Sequence, residues 1–465
     1  MPFTVKFATL FRQQKVRAII NLSRISVQLS GKHDRKLTTG GVGKSSEHFK
    51  IPHRDSYKLE DCDNRRNWVE KVTTKSLSNV GQWLDPQSSL GFHPTESLGG
   101  NIENLIGLAK IPLGVIGPLL IKGDHVNEHI LCPFATTEGT LVASSTRGAT
   151  AMTRSGGVSA RVIQRRIMRT PHFVTDSMQQ AQELSSWLIS HFEELKSKAS
   201  EVSQHCKLIG LEPWFVGRNL LMEFVYDSAD AAGQNGVTVT TWHACQWALE
   251  QITQEQPHIN IREFYIETKC SGDKGALAKN YIKGRGTEVQ AEAYITESVL
   301  QNVLKVDSST LYRCFHAFQM GAQRSGSYCL NICVSNTIAG ISAATGQDLA
   351  CVHESSWAVL EIAMEKEIKV AEAESSEKYE PGIYASLVIP TLLIGTVGGG
   401  TGTPTAKECL DMIGCFGKGR VYRFAEIIAS FALAMELSTL SAIASGQFAS
   451  AHERFGRNRP EYNEN

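Results

Sequence analysis

Pro133-Phe134-Ala135-Thr136-Thr137-Glu138-Gly139-Thr140-Leu141-Val142-Ala143-Ser144 sets one carboxylate among small and β-branched residues, with a glycine directly behind it. A charge in such a setting is costly unless it is paired or performs chemistry. Three further segments repeat the pattern: Gly272-Asp273-Lys274-Gly275, Gly346-Gln347-Asp348 and Gly446-Gln447-Phe448-Ala449-Ser450-Ala451-His452. A carboxylate, an amine, a second carboxylate and an imidazole are the groups that a proton-coupled carbonyl reduction requires. Taken singly, each has a plain explanation. Lys274 reads as a solvated lysine, Asp348 as a turn residue after an apolar helix, and His452 as an imidazole favoured by a helix C-terminus.

Outward from these segments, helical and strand patterns are intermixed. Residues 55–90 are charged and read as helix, and 102–122, β-branched and punctuated by Gly and Pro, reads as a strand or turn segment leading into the core. Residues 164–200 read as strongly helical, 219–226 alternate like a strand, and 295–350 read as mostly helix. Residues 425–448 form a long Ala- and Ser-rich helix interrupted by Glu426 and Glu436. No βαβ repeat appears, so the expected class is α+β and not a doubly wound sheet.

The 465 residues allow two or three domains. A net charge of +0 gives no bulk attraction to nucleic acid or membrane. The eleven cysteines include no CxxC pair and no zinc spacing; no metal is expected, and reduced thiols fit an intracellular compartment. No apolar run reads as a membrane span; residues 424–446 suit a close-packed buried helix better. Residues 1–36 carry eight Lys and Arg against the single acid Asp34, and Phe3, Phe7, Leu10 and Phe11 could share one helical face. Such a leader is compatible with a mitochondrial presequence; otherwise the chain is expected in the cytoplasm. Gly41-Val42-Gly43-Lys44-Ser45 ends like a phosphate loop, but Thr38 replaces its first glycine and no strand precedes it, so no nucleotide claim follows. A better candidate is Asp230-Ala231-Ala232-Gly233-Gln234-Asn235, small residues between a strand and a helix that could admit a pyrophosphate.

These segments, in this order, resemble the catalytic region of 3-hydroxy-3-methylglutaryl-CoA (HMG-CoA) reductases of the eukaryotic type, or class I. The resemblance runs from about Glu103 to Arg457. It rests on Glu103-Asn104-Leu105-Ile106-Gly107, the stretch at Glu138, Gly217-Arg218-Asn219, the segment at Asp230, Asp273-Lys274, Gly284-Arg285-Gly286, Gly346-Gln347-Asp348 and Gly395-Thr396-Val397-Gly398-Gly399-Gly400-Thr401. It implies NADPH-dependent reduction of HMG-CoA to mevalonate, with Glu138, Lys274, Asp348 and His452 as the catalytic set. Lys274 would stabilise the hemithioacetal oxyanion, Glu138 would move protons in the aldehyde step, Asp348 would link the two, and His452 would protonate the CoA thiolate. By the same resemblance Arg169 grips the substrate carboxylate, Asp273, Asn336 and Ser144 line the substrate site, and Arg147 contacts CoA. Asp230, Gly233, Asn235, Ser203 and Arg457 would serve the cofactor.

The implied architecture is a leader and linker over 1–50 and a helical, dimerising segment over 51–106. A large substrate domain follows, over 107–170 and 267–465. A small ferredoxin-like NADP domain is inserted over 171–266. A homodimer or homotetramer with active sites between subunits is implied too. Several positions depart from the family: Gly275, His316 and Thr150 replace basic residues, Glu267 replaces a serine, Ser342 an aromatic, and Ala232 and Gln234 methionines. Gln204 stands where a basic residue near the 2′-phosphate is expected, and Asn458 where animal enzymes carry a phosphorylated serine. Losing cations at 275 and 316 while gaining Glu267 makes the pocket less favourable to an acidic substrate. The alternatives are therefore a paralogue with an altered acyl-CoA substrate, or a non-catalytic acyl-CoA-binding or regulatory subunit.

Overall fold

The computed structural model of the chain describes residues 52, 53, 56, 58–74, 76, 98–370 and 378–455, with the backbone alone at 451, 452, 454 and 455. In chain order its principal elements are α1 (Leu59–Thr73), β1 (Leu113–Gly123), β2 (Asn127–Ala135), α2 (Leu141–Arg154), β3 (Val158–Arg169), β4 (His172–Thr175), α3 (Met178–Ser190) and α4 (Phe192–Val202). There follow β5 (Lys207–Val216), β6 (Asn219–Asp227), α5 (Gln234–Glu255), β7 (Ile261–Tyr265), α6 (Ala278–Lys283), β8 (Gly286–Thr296), α7 (Ser308–Ser325) and α8 (Val334–Ala344). The chain closes with β9 (Val359–Lys369), β10 (Tyr379–Leu392), α9 (Pro404–Met412), α10 (Val421–Ala444) and α11 (Phe448–Phe455). Two compact units result, and the chain passes between them within β3, at Asp230 and Gly233, and after Gly275. The leader and the glycine-rich linker, including Lys44, lie outside the described residues.

In the larger unit, strands lie in the order β2-β1-β3-β8-β10-β9. β1 runs parallel to the start of β3, with Ile121 opposite Val158, and antiparallel to β2. β10 is antiparallel to both β8 and β9. Against this sheet packs α10, a 24-residue helix of Ala, Leu, Ile and Ser without a helix breaker. By length and apolarity α10 could cross a membrane, contrary to the expectation from the sequence, but 83% of its most apolar window is buried within the protein. A helix that is apolar all round belongs in a core. Phe424, Ile427, Ile428, Phe431, Leu433 and Leu437 fill that core with Ile121 from β1 and Val289 from β8.

The closeness of α10 to α2 depends on Gly148, where an added Cβ would lie 1.9 Å from the carbonyl oxygen of Ala434. Gly148→Ala must force the two helices apart and is expected to cost about 1–3 kcal/mol, read as a lower urea midpoint at unchanged slope. An unchanged midpoint would show that the contact is not tight in solution.

The smaller unit is built from β4, α3 and α4, β5, β6, α5 and β7, with its sheet in the order β7-β4-β6-β5 and every pair antiparallel. That connectivity is ferredoxin-like. It covers Arg166–Ala229 and Gly233–Gly275. Two local expectations change. Residues 164–169 are strand, because Ile167, Met168 and Arg169 pair with Tyr226, Val225 and Phe224 of β6, and pairing outweighs local helix preference. Helix begins only at Met178, where Ser177 accepts a hydrogen bond from the Gln180 amide as an N-cap. The charged stretch near residue 55 is helical only over Leu59–Thr73 among the described residues, ending at Thr74 in the left-handed region.

Candidate active site

Glu138 stands in the turn between β2 and α2, exposed, with its amide donating to Thr136 Oγ1 at 3.0 Å. Thr140, two residues on, holds φ +78 just before α2 begins. A β-branched residue in that region is strained, and such strain concentrates at functional turns. Lys274 in the smaller unit is likewise left-handed, at φ +50, in a turn closed by the Gly275 amide on Gly272 O at 3.2 Å.

Within the larger unit a cavity of about 950 Å³ brings together Glu138, Ser144, Arg147 and Asn336, with Cys333 and Thr439 in its wall. One turn of α10 organises it. Ser438 Oγ lies 3.0 Å from Ser144 Oγ and accepts from Arg147 Nε at 3.0 Å, while the Ser438 carbonyl accepts from another guanidinium nitrogen at 2.6 Å. Burial lowers the Arg147 pKa. Glu436, fully buried, accepts from the amides of Ile332 at 2.6 Å and Cys333 at 2.5 Å. Desolvation pushes its carboxyl up to about 7 despite those donors. The Cys333 thiol donates to Thr439 Oγ1 at 3.3 Å, and burial raises its pKa well above the usual thiol value.

Asp348 stands in the turn after the apolar helix. α8 stops at Ala344, Gly346 turns the chain at φ +66, and Asp348 caps the next 3₁₀ turn by accepting from the Ala350 amide at 3.1 Å. Its neighbour Gln347 accepts from the Gly395 amide at 2.9 Å and donates to the Gly395 carbonyl at 3.0 Å. A Cβ at Gly346 would come within 2.3 Å of Gly400 O, so this turn and the glycine-rich loop meet backbone to backbone.

In the smaller unit, Arg169 is buried and bound by the Glu267 carboxylate, with Asp273 3.4 Å away and the Gln234 carbonyl at 3.2 Å. Ser271 Oγ donates to Glu267 at 2.9 Å and accepts from the Thr170 amide at 2.9 Å. Asp273 also accepts from Gln234 Nε2 at 2.5 Å. Glu267 and Gln234, both noted as departures, thus surround the predicted substrate arginine.

The residues expected at the cofactor divide. Gly233, which has no side chain to cap with, precedes α5 at φ +93, and Asn235 is exposed in the first turn of that helix. Ser203 Oγ accepts from the amides of His205 and Cys206, both at 3.3 Å. The Asp230 carboxylate is committed elsewhere, for it accepts from the amides of Gly419, Arg420 and Val421 at 2.8, 3.0 and 3.2 Å and so caps α10. His452 falls in α11, but its side chain, and Arg457 with Asn458, lie outside the described residues. Sequence reasoning missed the roles of Glu436, Ser438 and Gln347; two carboxylates interrupting an apolar helix were the available signal for the first.

A profile of the hydroxymethylglutaryl-coenzyme A reductase family matches residues 61–457. The 3-hydroxy-3-methylglutaryl-coenzyme A reductase of Methanocaldococcus jannaschii is 38% identical over 396 residues, covering 84% of this chain and 92% of that one. The 3-hydroxy-3-methylglutaryl-coenzyme A reductase 2 of Capsicum annuum is 33% identical over 432 residues, 89% of this chain and 66% of the plant protein. Among solved structures, the class II 3-hydroxy-3-methylglutaryl-CoA reductase of Streptococcus pneumoniae, bound to NADPH in open conformations, aligns with a TM-score of 0.57 over 82% of this chain and 97% of that chain. At 17% identity that likeness speaks for the fold alone.

Proposed function

We propose, from the premise that this chain belongs to the hydroxymethylglutaryl-coenzyme A reductase family, that it reduces HMG-CoA to mevalonate and free CoA with two NADPH as reductant. The observation that carries the reading is the family match over residues 61–457, which spans Glu138, Lys274, Asp348 and His452. NADPH, when bound, supplies the two hydrides. The start of α5 suits a dinucleotide phosphate, since it opens on a glycine that lets a ligand approach the backbone and exposes Asn235. Ser203 and Arg457 are assigned to the same ligand. Asp230 would contribute through its backbone, its carboxylate being committed to α10.

In the first reduction the Lys274 ammonium holds the thioester oxygen and stabilises the hemithioacetal oxyanion. The carbon–sulfur bond then breaks to give mevaldehyde, and His452 protonates the leaving CoA thiolate. In the second reduction Glu138 delivers the proton to the aldehyde oxygen, with Asp348 tuning the carboxyl and the ammonium as a coupled set. Arg169 is assigned to the distal carboxylate of the substrate, Asp273, Asn336 and Ser144 to other positions of the substrate site, and Arg147 to a CoA phosphate. The test is loss of NADPH absorbance by the purified full chain with HMG-CoA, with mevalonate identified as product. Folded protein that binds NADPH but oxidises none of it would overturn the reading.

An altered acyl-CoA preference is favoured by one observation, the ion pair of Arg169 with Glu267. A substrate carboxylate must compete with Glu267 for that guanidinium. Glu267→Ser is therefore expected to lower KM for HMG-CoA about 10-fold, worth about 1.4 kcal/mol, with a smaller change in kcat. Equal KM for both proteins would remove Glu267 from substrate selection. We also infer a homodimer or homotetramer acting in the cytoplasm, in keeping with eleven unbridged cysteines. A fully active monomer in light scattering would contradict the assembly.

A further inference from the structure

We propose that Glu436 is a positioning residue for the substrate cavity, capping α8 from within the core and fixing the turn that presents Cys333 and Asn336 to the cavity shared with Glu138. This rests on the reading of that cavity as the acyl-CoA site.

The first amides of a helix have no partner inside it, and a side chain just before the helix ordinarily supplies one. At α8 that position is Cys333, whose side chain makes no capping bond. The acceptor comes instead from Glu436, distant in sequence by 103 residues, and its two oxygens are taken by two consecutive amides, those of Ile332 and Cys333. Among the described residues no basic side chain pairs with this carboxylate. Its commitment to the start of α8 is what offsets the cost of a buried acid. Asn336 lies in the first turn of α8 and its amide donates to Cys333 O at 2.9 Å, so the residue moves with the capped turn.

The neighbouring residues of α10 extend the same device. Ser438 holds Arg147 and Ser144 of α2, and Thr439 receives the Cys333 thiol. Positions 436, 438 and 439 thereby set the α8 wall and the α2 wall from one helical turn. The titratable groups near Glu436 are the Cys333 thiol, with Glu138 beyond it, and Arg147, reached through Ser438. A carboxyl poised at about 7 changes charge within the working pH range, so the firmness of the α8 cap follows pH.

Glu436→Gln retains the shape but turns an NH₂ toward one of the two amides. We expect KM for HMG-CoA to rise about 10-fold while kcat falls less and NADPH affinity is unchanged. The unaltered protein should show an inflection near neutral pH in kcat/KM, with the cap firm above it where Glu436 is ionised and weakened below it, and Glu436→Gln should lack that inflection. Amides 332–336 should exchange hydrogen about 10-fold faster, whether or not the wild-type protein reduces HMG-CoA, which separates this inference from the assignment of activity. Glu436→Asp, which keeps a carboxylate for the same two amides on a shorter stem, should show smaller changes of both kinds. Glu436→Asp carries the test if Glu436→Gln does not fold: faster exchange confined to 332–336 supports the cap, and exchange unchanged there counts against it. A folded Glu436→Gln protein with unchanged exchange at 332–336, or with unchanged KM and pH profile in an active enzyme, would overturn the proposal.

Discussion

Lys274→Ala is expected to lower NADPH-dependent turnover at least 100- to 1000-fold while NADPH binding persists. That range is the one for losing a preorganised donor at a developing oxyanion, the role proposed for Lys274. Lys274 sits at φ +50 between Asp273 and Gly275, with Asp273 anchored by Gln234 and Arg169. The backbone therefore presents the side chain in a defined place, and alanine at the same left-handed position retains the turn without the charge. Arginine is not an equivalent replacement, because a planar fork differs from a compact point charge. The check is single-turnover loss of nicotinamide absorbance beside a direct binding titration. Substantial turnover by the alanine variant would mean that another group carries the oxyanion.

The largest expected stability effect is at Arg285. Its guanidinium is fully buried and donates to Glu354 Oε2 at 2.8 Å, with Glu354 only 2% exposed. Removing one partner of a buried ion pair leaves the other charge uncompensated, which costs about 3–5 kcal/mol. Arg285→Ala should shift the urea midpoint accordingly. An Arg285→Met, Glu354→Leu double variant should recover much of the loss, since apolar replacement of both charges removes the desolvation penalty. A single variant as stable as the parent would show that the pair contributes little. Glu354 belongs to the short helical segment Val352–Ser355, a few residues after Asp348, and the Leu393 amide donates to Ser355 Oγ at 3.0 Å. Loosening the pair should therefore also lower turnover modestly.

Local pattern made the α10 core helix, the β6 strand and the setting of Glu138 legible in the sequence, because composition and periodicity fix each within a short window. The family match supports the reductase reading and the fold supports the ferredoxin-like insert. Features that depend on distant partners were not legible. Strand pairing with β6 decided the state of residues 164–169, against their local preference. The three amides at 419–421 that the Asp230 carboxylate caps are 189 to 191 positions away, and nothing near Asp230 in sequence reveals them. Glu267 was visible as a substitution, but its hold on Arg169, across 98 positions, was not. Glu436 was visible as an interruption, while its acceptor role needs the turn at 332–333 to be in place.

The single turn of α10 from Glu436 to Thr439 also bears on how such a protein can diversify. Its polar side chains hold two neighbouring elements between them, Glu436 and Thr439 the start of α8 and Ser438 the α2 wall, so a change at any one is felt by the cavity floor and by folding at once. An exposed lining position such as Phe318 has fewer dependants. Inherited variation in substrate choice should therefore accumulate around the entrance and spare this turn, and directed evolution for new acyl-CoA substrates should begin with libraries at the rim.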